Sequence, residues 1–194
     1  MTELRQLLTA LERDGTTVME LACGGRDVTP WTLYPDDYGV FDRDTGCQSY
    51  FHRHDGATHE AGHFHTVRLF PDHTVHLVAI SMARDGWPQA LFTLNLWAIG
   101  DRYESGAALK RYARRFRIDE TRGDARLVRF VNLVFQAFTP QIERLQEGKI
   151  TRLAEHRLAN PGVDPFNDRS LEILSRLAID VRARPTHSMR EVQA

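Results

Sequence analysis

The chain has 194 residues, 42% hydrophobic and 26% charged, which is enough for one domain with a real core and ordinary for a soluble globular protein. Lys and Arg (25) nearly cancel Asp and Glu (26), leaving a formal charge of -1, so a general polyanion binder is excluded and no nucleic-acid partner is expected. No apolar run is long enough to span a bilayer, residues 1–6 lack the basic and apolar regions of a secretory signal, and Cys23 and Cys47 make no disulfide framework. No membrane association is therefore expected, and the default setting is reduced and cytoplasmic.

In chain order, residues 3–13 read as an amphipathic helix, with Leu4, Leu7, Leu8 and Leu11 on one face and Gly15 ending it. Val18 to Ala22 is a second apolar patch that extends this helical start. Residues 27–49 are rich in turn formers, with Pro30, Pro35, Gly39 and Gly46 among interleaved aromatics. Asp44-Thr45-Gly46 has the form of the aspartic-protease triplet, but that chemistry needs two such carboxylates, so a turn is the better reading.

Four strands are then expected: Tyr50–His54, His63–Phe70, Thr74–Met82 and Ala90–Ala98. Pro71-Asp72-His73 and Arg84-Asp85-Gly86-Trp87-Pro88 are short links, which favour antiparallel neighbours. The remainder reads as helical. Residues 105–117 set Leu109, Tyr112, Ala113 and Phe116 against a basic face running from Lys110 to Arg117, which is read first as a solvated surface. Residues 124–138 are apolar nearly all round and should form the central buried helix. Thr139-Pro140 suits the start of a new helix with a break near Gly148, and residues 168–183 read as a last amphipathic helix. The fold expectation is a single α+β domain over residues 1–183. It has a four-stranded, mainly antiparallel sheet covered by N- and C-terminal helices, with a polar tail over 184–194.

The functional signal is histidine. Seven of the nine histidines fall in the 25 residues from His52 to His76. Side chains at i and i+2 of a strand share a face, so His63 and His65 project together, as do His52 and His54 beside Tyr50. Neutral imidazoles bind iron, copper, zinc or nickel, and a carboxylate widens the choice. The metal ligands expected are His63 and His65 first, then His54 and Glu60, with His52 and His76 in reserve. Any one of these histidines taken alone is better read as structural. The set would be costly to desolvate together without an ion. General acid–base work without a metal uses the same residues. Asn95 and Trp97 alternate with apolar residues on the fourth strand and are expected, with Tyr50, to line a substrate pocket.

Trp31-Thr32-Leu33-Tyr34-Pro35, Tyr50-Phe51-His52-Arg53-His54, Glu60-Ala61-Gly62-His63-Phe64-His65, Leu91-Phe92-Thr93-Leu94-Asn95-Leu96-Trp97 and Asp168-Arg169-Ser170-Leu171-Glu172-Ile173-Leu174-Ser175 together resemble an uncharacterised bacterial family of unknown function. That resemblance covers most of the chain and implies no activity. His63-x-His65 with a carboxylate also resembles a cupin, although here the carboxylate precedes the pair and the cupin glycine spacing is absent. The likeness is one of metal geometry alone. The functional expectation is a metal-dependent enzyme acting on a small molecule or peptide, an oxidoreductase ahead of a hydrolase. The alternative is a non-enzymatic metal-binding or partner-binding protein.

Overall fold

A computed structural model describes residues 1–56, 58–99 and 102–183. The expected polar tail, 184–194, lies outside the described residues. Helix α1 (Thr2–Arg13) buries Leu4, Leu8 and Leu11. Helix α2 (Val18–Cys23) is a separate element with its own capping box, in which Thr17 and Glu20 satisfy each other's backbone N–H groups.

The strands are β1 (Val40–Asp42), β2 (Cys47–His52), β3 (Gly62–Leu69), β4 (Thr74–Met82), β5 (Pro88–Leu94) and β6 (Ile173–Ala178). They form one antiparallel sheet in the order β1-β2-β3-β4-β5-β6. Between β5 and β6 lie α3 (Leu96–Ile99), α4 (Gly106–Arg114) and α5 (Ala125–Ala159).

The sheet thus has six strands among the described residues, not the four expected. β1 lies inside the stretch read as turns, where its three residues are too short to show a period. β6 replaces the expected last helix. Leu171, Leu174 and Leu177 recur at a spacing that suits a helix, yet the segment pairs with β5 from Ala90↔Ala178 to Leu94↔Ile173. The physical reason is the open edge of β5, whose backbone N–H and C=O groups gain partners from an added strand. The expected fourth strand ends at Leu94, and Leu96–Ile99 turns into a helical segment.

Helix α5 runs through the position where a new helix was expected to start. Phe138 there has φ -121° and ψ 18°, and the Thr139 hydroxyl donates to the Phe135 carbonyl at 2.6 Å. Pro140, with no N–H to give, makes a kink rather than a new start. Phe51, Phe64, Ile80 and Leu91 join residues of α5 in the main core, with the Phe64 and Phe130 rings 5.4 Å apart. Two cations of the basic face are spent on α5: Lys110 pairs with Glu147, and Arg114 grips Glu143 at 2.5 and 3.0 Å. That leaves the opposite face of the sheet, where the histidines stand.

Candidate metal centre

The histidine face follows from strand periodicity and register. In the β2–β3 ladder His52 is the partner of His63, and Tyr50 of His65. Each pair therefore projects its two rings to one face. His54 lies just beyond β2. It is held by a segment that pairs with the end of β2: Trp31 N–H donates to Arg53 O at 2.9 Å, and Tyr34 and Phe51 exchange backbone bonds at 2.8 and 2.9 Å. Trp31 stacks on His54 with centroids 4.5 Å apart and planes at 26°.

His76 arrives by a different route. In β4 the pairing jumps from Thr66↔Val78 to Val67↔His76, so Leu77 is an extra residue. Without that bulge His76 would project to the core side. With it, His76 Nε2 lies 3.1 Å from His65 Nδ1.

The Nε2 atoms of His52, His63 and His65 form a triangle with sides of 2.8, 3.0 and 3.0 Å, and His54 Nε2 lies 3.2 Å from that of His52. The three rings of the triangle cross at 75–78°. Imidazole nitrogens about 2.0–2.1 Å from a shared ion sit about 2.9 Å apart at a right angle and about 3.4 Å apart at the tetrahedral angle. The observed edges fall in or close to that range. His52, His54 and His63 form a group that could hold a metal ion.

Protonation supports the fit. Glu60 Oε1 lies 2.6 Å from His63 Nδ1, and Ser81 Oγ donates to Glu60 Oε2 at 2.5 Å. Burial opposes ionisation of Glu60, but His63 and Ser81 outweigh it and hold the carboxyl below its ordinary range. A carboxylate only accepts, so His63 Nδ1 carries the hydrogen and Nε2 is the ring nitrogen that faces the cluster. Burial, then the neighbouring His63 and His54, push His52 down to about 3. Burial likewise carries His65 and His76 well below the ordinary histidine value and lowers His54. Burial thus holds His52, His54, His65 and His76 toward the neutral form in a cluster whose ring nitrogens crowd together, and neutral imidazole is the form that ligates a transition metal.

Beside His54 and His63 lies a pocket of about 130 Å³, walled by Phe92, Leu94 and Ile173, with Glu172 and Arg176 at its edge. A larger cavity of about 780 Å³ is lined by α2 and the adjoining loops, and no histidine lines it. The smaller pocket is the one that meets the chemistry.

Of the residues expected from sequence, His52, His63 and His65 are brought together by their Nε2 atoms, and His54 Nε2 joins them through that of His52. Glu60 bears on the far nitrogen of His63, and His76 backs His65. Tyr50 stacks on His65 at 4.9 Å. Asn95 and Trp97 do not line the pocket. Asn95 is fully buried and donates to Pro165 O and Leu171 O at 2.7 and 2.8 Å, and Trp97 Nε1 donates to Leu171 O. They anchor the loop that leads into β6, a role hidden while that segment read as helix. Sequence reasoning missed Ser81, Trp31, Glu172 and Arg176. Only Trp31, an aromatic in a turn-rich stretch, left any signal.

A protein of this architecture is an antiparallel six-stranded sheet with one face packed on helices and a histidine cluster on the other. The chain belongs to the family described as "Domain of unknown function (DUF6969)", whose model matches residues 1–179. No curated protein and no solved structure matches the chain significantly. No helix among the described residues is long and apolar enough to cross a membrane.

Proposed function

We propose that His52, His54, His63 and His65 hold one divalent transition metal ion, and that the protein is a metalloenzyme acting on a small molecule in the adjoining pocket. The observation that carries this reading is the convergence of Nε2 atoms at 2.8–3.2 Å, with Glu60 fixing the orientation of His63. Iron, copper and zinc all suit imidazole donors. The bound ion would supply Lewis acidity or, for iron and copper, electron transfer. Phe92 and Leu94, both buried, limit water beside the centre, which favours oxidation of an organic substrate, with dioxygen as the electron acceptor, over hydrolysis. His54 and His63 are the donors that face the pocket, so they orient whatever binds there.

The test is metal content by mass spectrometry on untagged protein purified without chelators, beside a variant carrying His63→Ala and His65→Ala. A stoichiometric metal in the parent, lost in a variant that keeps its circular dichroism spectrum, is the expected result. Full metal retention in that variant overturns the site. So does a parent protein that neither carries nor takes up added iron, copper or zinc.

A second reading, a non-enzymatic metal-binding protein, is favoured by the donor count. Four imidazoles complete a tetrahedral zinc sphere with no open position. Bound zinc whose coordination no small molecule alters supports it.

A further inference from the structure

The pocket beside His54 and His63 has a chemical character of its own. One row of cross-strand partners runs from Tyr50 through His65, Ala79 and Phe92 to Arg176, so all five side chains project to the histidine face. Phe92 meets His63 edge-on, with centroids 5.3 Å apart and planes at 82°. The Arg176 guanidinium lies over the Phe92 ring, with Cζ 5.5 Å from its centroid. Arg176 thus lies across Phe92 from His63.

Glu172 stands at the entry to β6. Its backbone carbonyl accepts from Asn95 N–H at 2.8 Å, which fixes its place. Its side chain lines the same pocket as His54. Neither Glu172 nor Arg176 forms a salt bridge with another described residue, although both line one small cavity. Phe92, Leu94 and Ile173 line the same cavity. An apolar slot edged by one free cation and one free anion fits a ligand that carries both charges and an apolar part.

Size narrows this further. A volume of about 130 Å³ suits a small molecule with a short apolar part.

Resting on the metal-site reading for its chemistry but not for its charge pair, we infer that the pocket binds a small apolar amino acid as its zwitterion. The carboxylate pairs with Arg176, the ammonium group with Glu172, and the side chain lies against Phe92, Leu94 and Ile173. Arginine suits this role because its fork matches a carboxylate with two parallel hydrogen bonds.

Calorimetric titration of the full chain tests this with L-valine, isovalerate (no ammonium) and isobutylamine (no carboxylate), each against zinc-loaded and metal-stripped protein. L-Valine is expected to bind the zinc-loaded form at least about tenfold tighter than either analogue, the loss of one charge-assisted hydrogen bond. Arg176→Gln should weaken L-valine and isovalerate about tenfold and leave isobutylamine unchanged. Glu172→Gln should weaken L-valine and isobutylamine and spare isovalerate. Absence of L-valine binding, equal affinity for all three probes, or L-valine affinity unchanged in both variants overturns the inference. Failure to take up zinc, iron and copper alike overturns the metal reading instead. The titrations of metal-stripped protein then decide the charge-pair assignment by the same criteria.

Discussion

His52 and His63 are direct partners across the β2–β3 ladder, and their Nε2 atoms lie 2.8 Å apart. The contact is a product of register, so whatever holds β2 against β3 also holds the centre together. Gly62, the residue before His63, lies close against the end of β2. Its φ is +150°, and a Cβ there would meet Phe51 Cζ at 2.5 Å and His52 O at 2.7 Å. Gly62→Ala combines left-handed backbone strain with overpacking, for a cost of about 3 kcal/mol. The denaturant midpoint should fall accordingly, and metal uptake should fall with it. A variant as stable as the parent would show that the two strands tolerate separation.

Glu60 acts on the metal through His63. Glu60→Gln keeps the size of the side chain but offers an amide that only weakly accepts the Nδ1 hydrogen. Zinc affinity, measured by competition with a chromophoric chelator, should drop about 10–100-fold. The folded state should persist, because with the amide oxygen toward His63 the Ser81 hydroxyl can accept from the amide N–H instead. An unchanged affinity would make Glu60 a bystander.

Trp31 is 63% exposed, has φ 68°, and stacks on His54. Trp31→Gly relieves left-handed strain of about 1–2 kcal/mol and loses a ring contact of about 0.5–1.5 kcal/mol. Thermal stability should therefore move by no more than about 1 kcal/mol. His54 loses its wall, so metal dissociation followed by chelator trapping should accelerate. If the dissociation rate is unchanged, the stacking does not hold His54 in place.

Asp42 ties the sheet edge to the segment before α5. Its Oδ1 accepts from Asp44 N–H at 2.9 Å and Thr45 N–H at 3.3 Å, and its Oδ2 from Asp119 N–H at 2.8 Å. Burial pushes the carboxyl up, but these backbone bonds, helped by Arg122, bring it below its ordinary value. A depressed folded value contributes stability above the unfolded value of about 3.9, and that contribution is lost as pH falls through the folded value. Asp42→Asn should cost about 1–3 kcal/mol at neutral pH. Its deficit against the parent, followed by urea melts, should shrink below about pH 4. A deficit independent of pH would assign the loss to packing rather than charge.

Much of the histidine face was legible before folding. Thr74–Met82 spans β4 as read, and the two His-x-His pairs sit on strands, or at a strand's end, as their spacing implies. Edges were harder. β6 carries leucines at a spacing that suits a helix, and only the open edge of β5 makes it a strand. The Thr139-Pro140 signal had the right chemistry for a helix start, but the surrounding core carries the helix through it as a kink. Asn95 and Trp97 showed an alternation that fits a pocket, while their partners, Pro165 and Leu171, are some 70 residues away in sequence.

What the sequence determined by itself is which side chains can share a face, because strand periodicity is local: His63 with His65, His52 with His54. Tertiary structure decided which of them meet. Register set His52 opposite His63, a single extra residue in β4 turned His76 toward His65, and the return of β6 brought Glu172 and Arg176 to the pocket. Those outcomes depend on hydrogen-bond partners supplied by distant strands, and no local period encodes them.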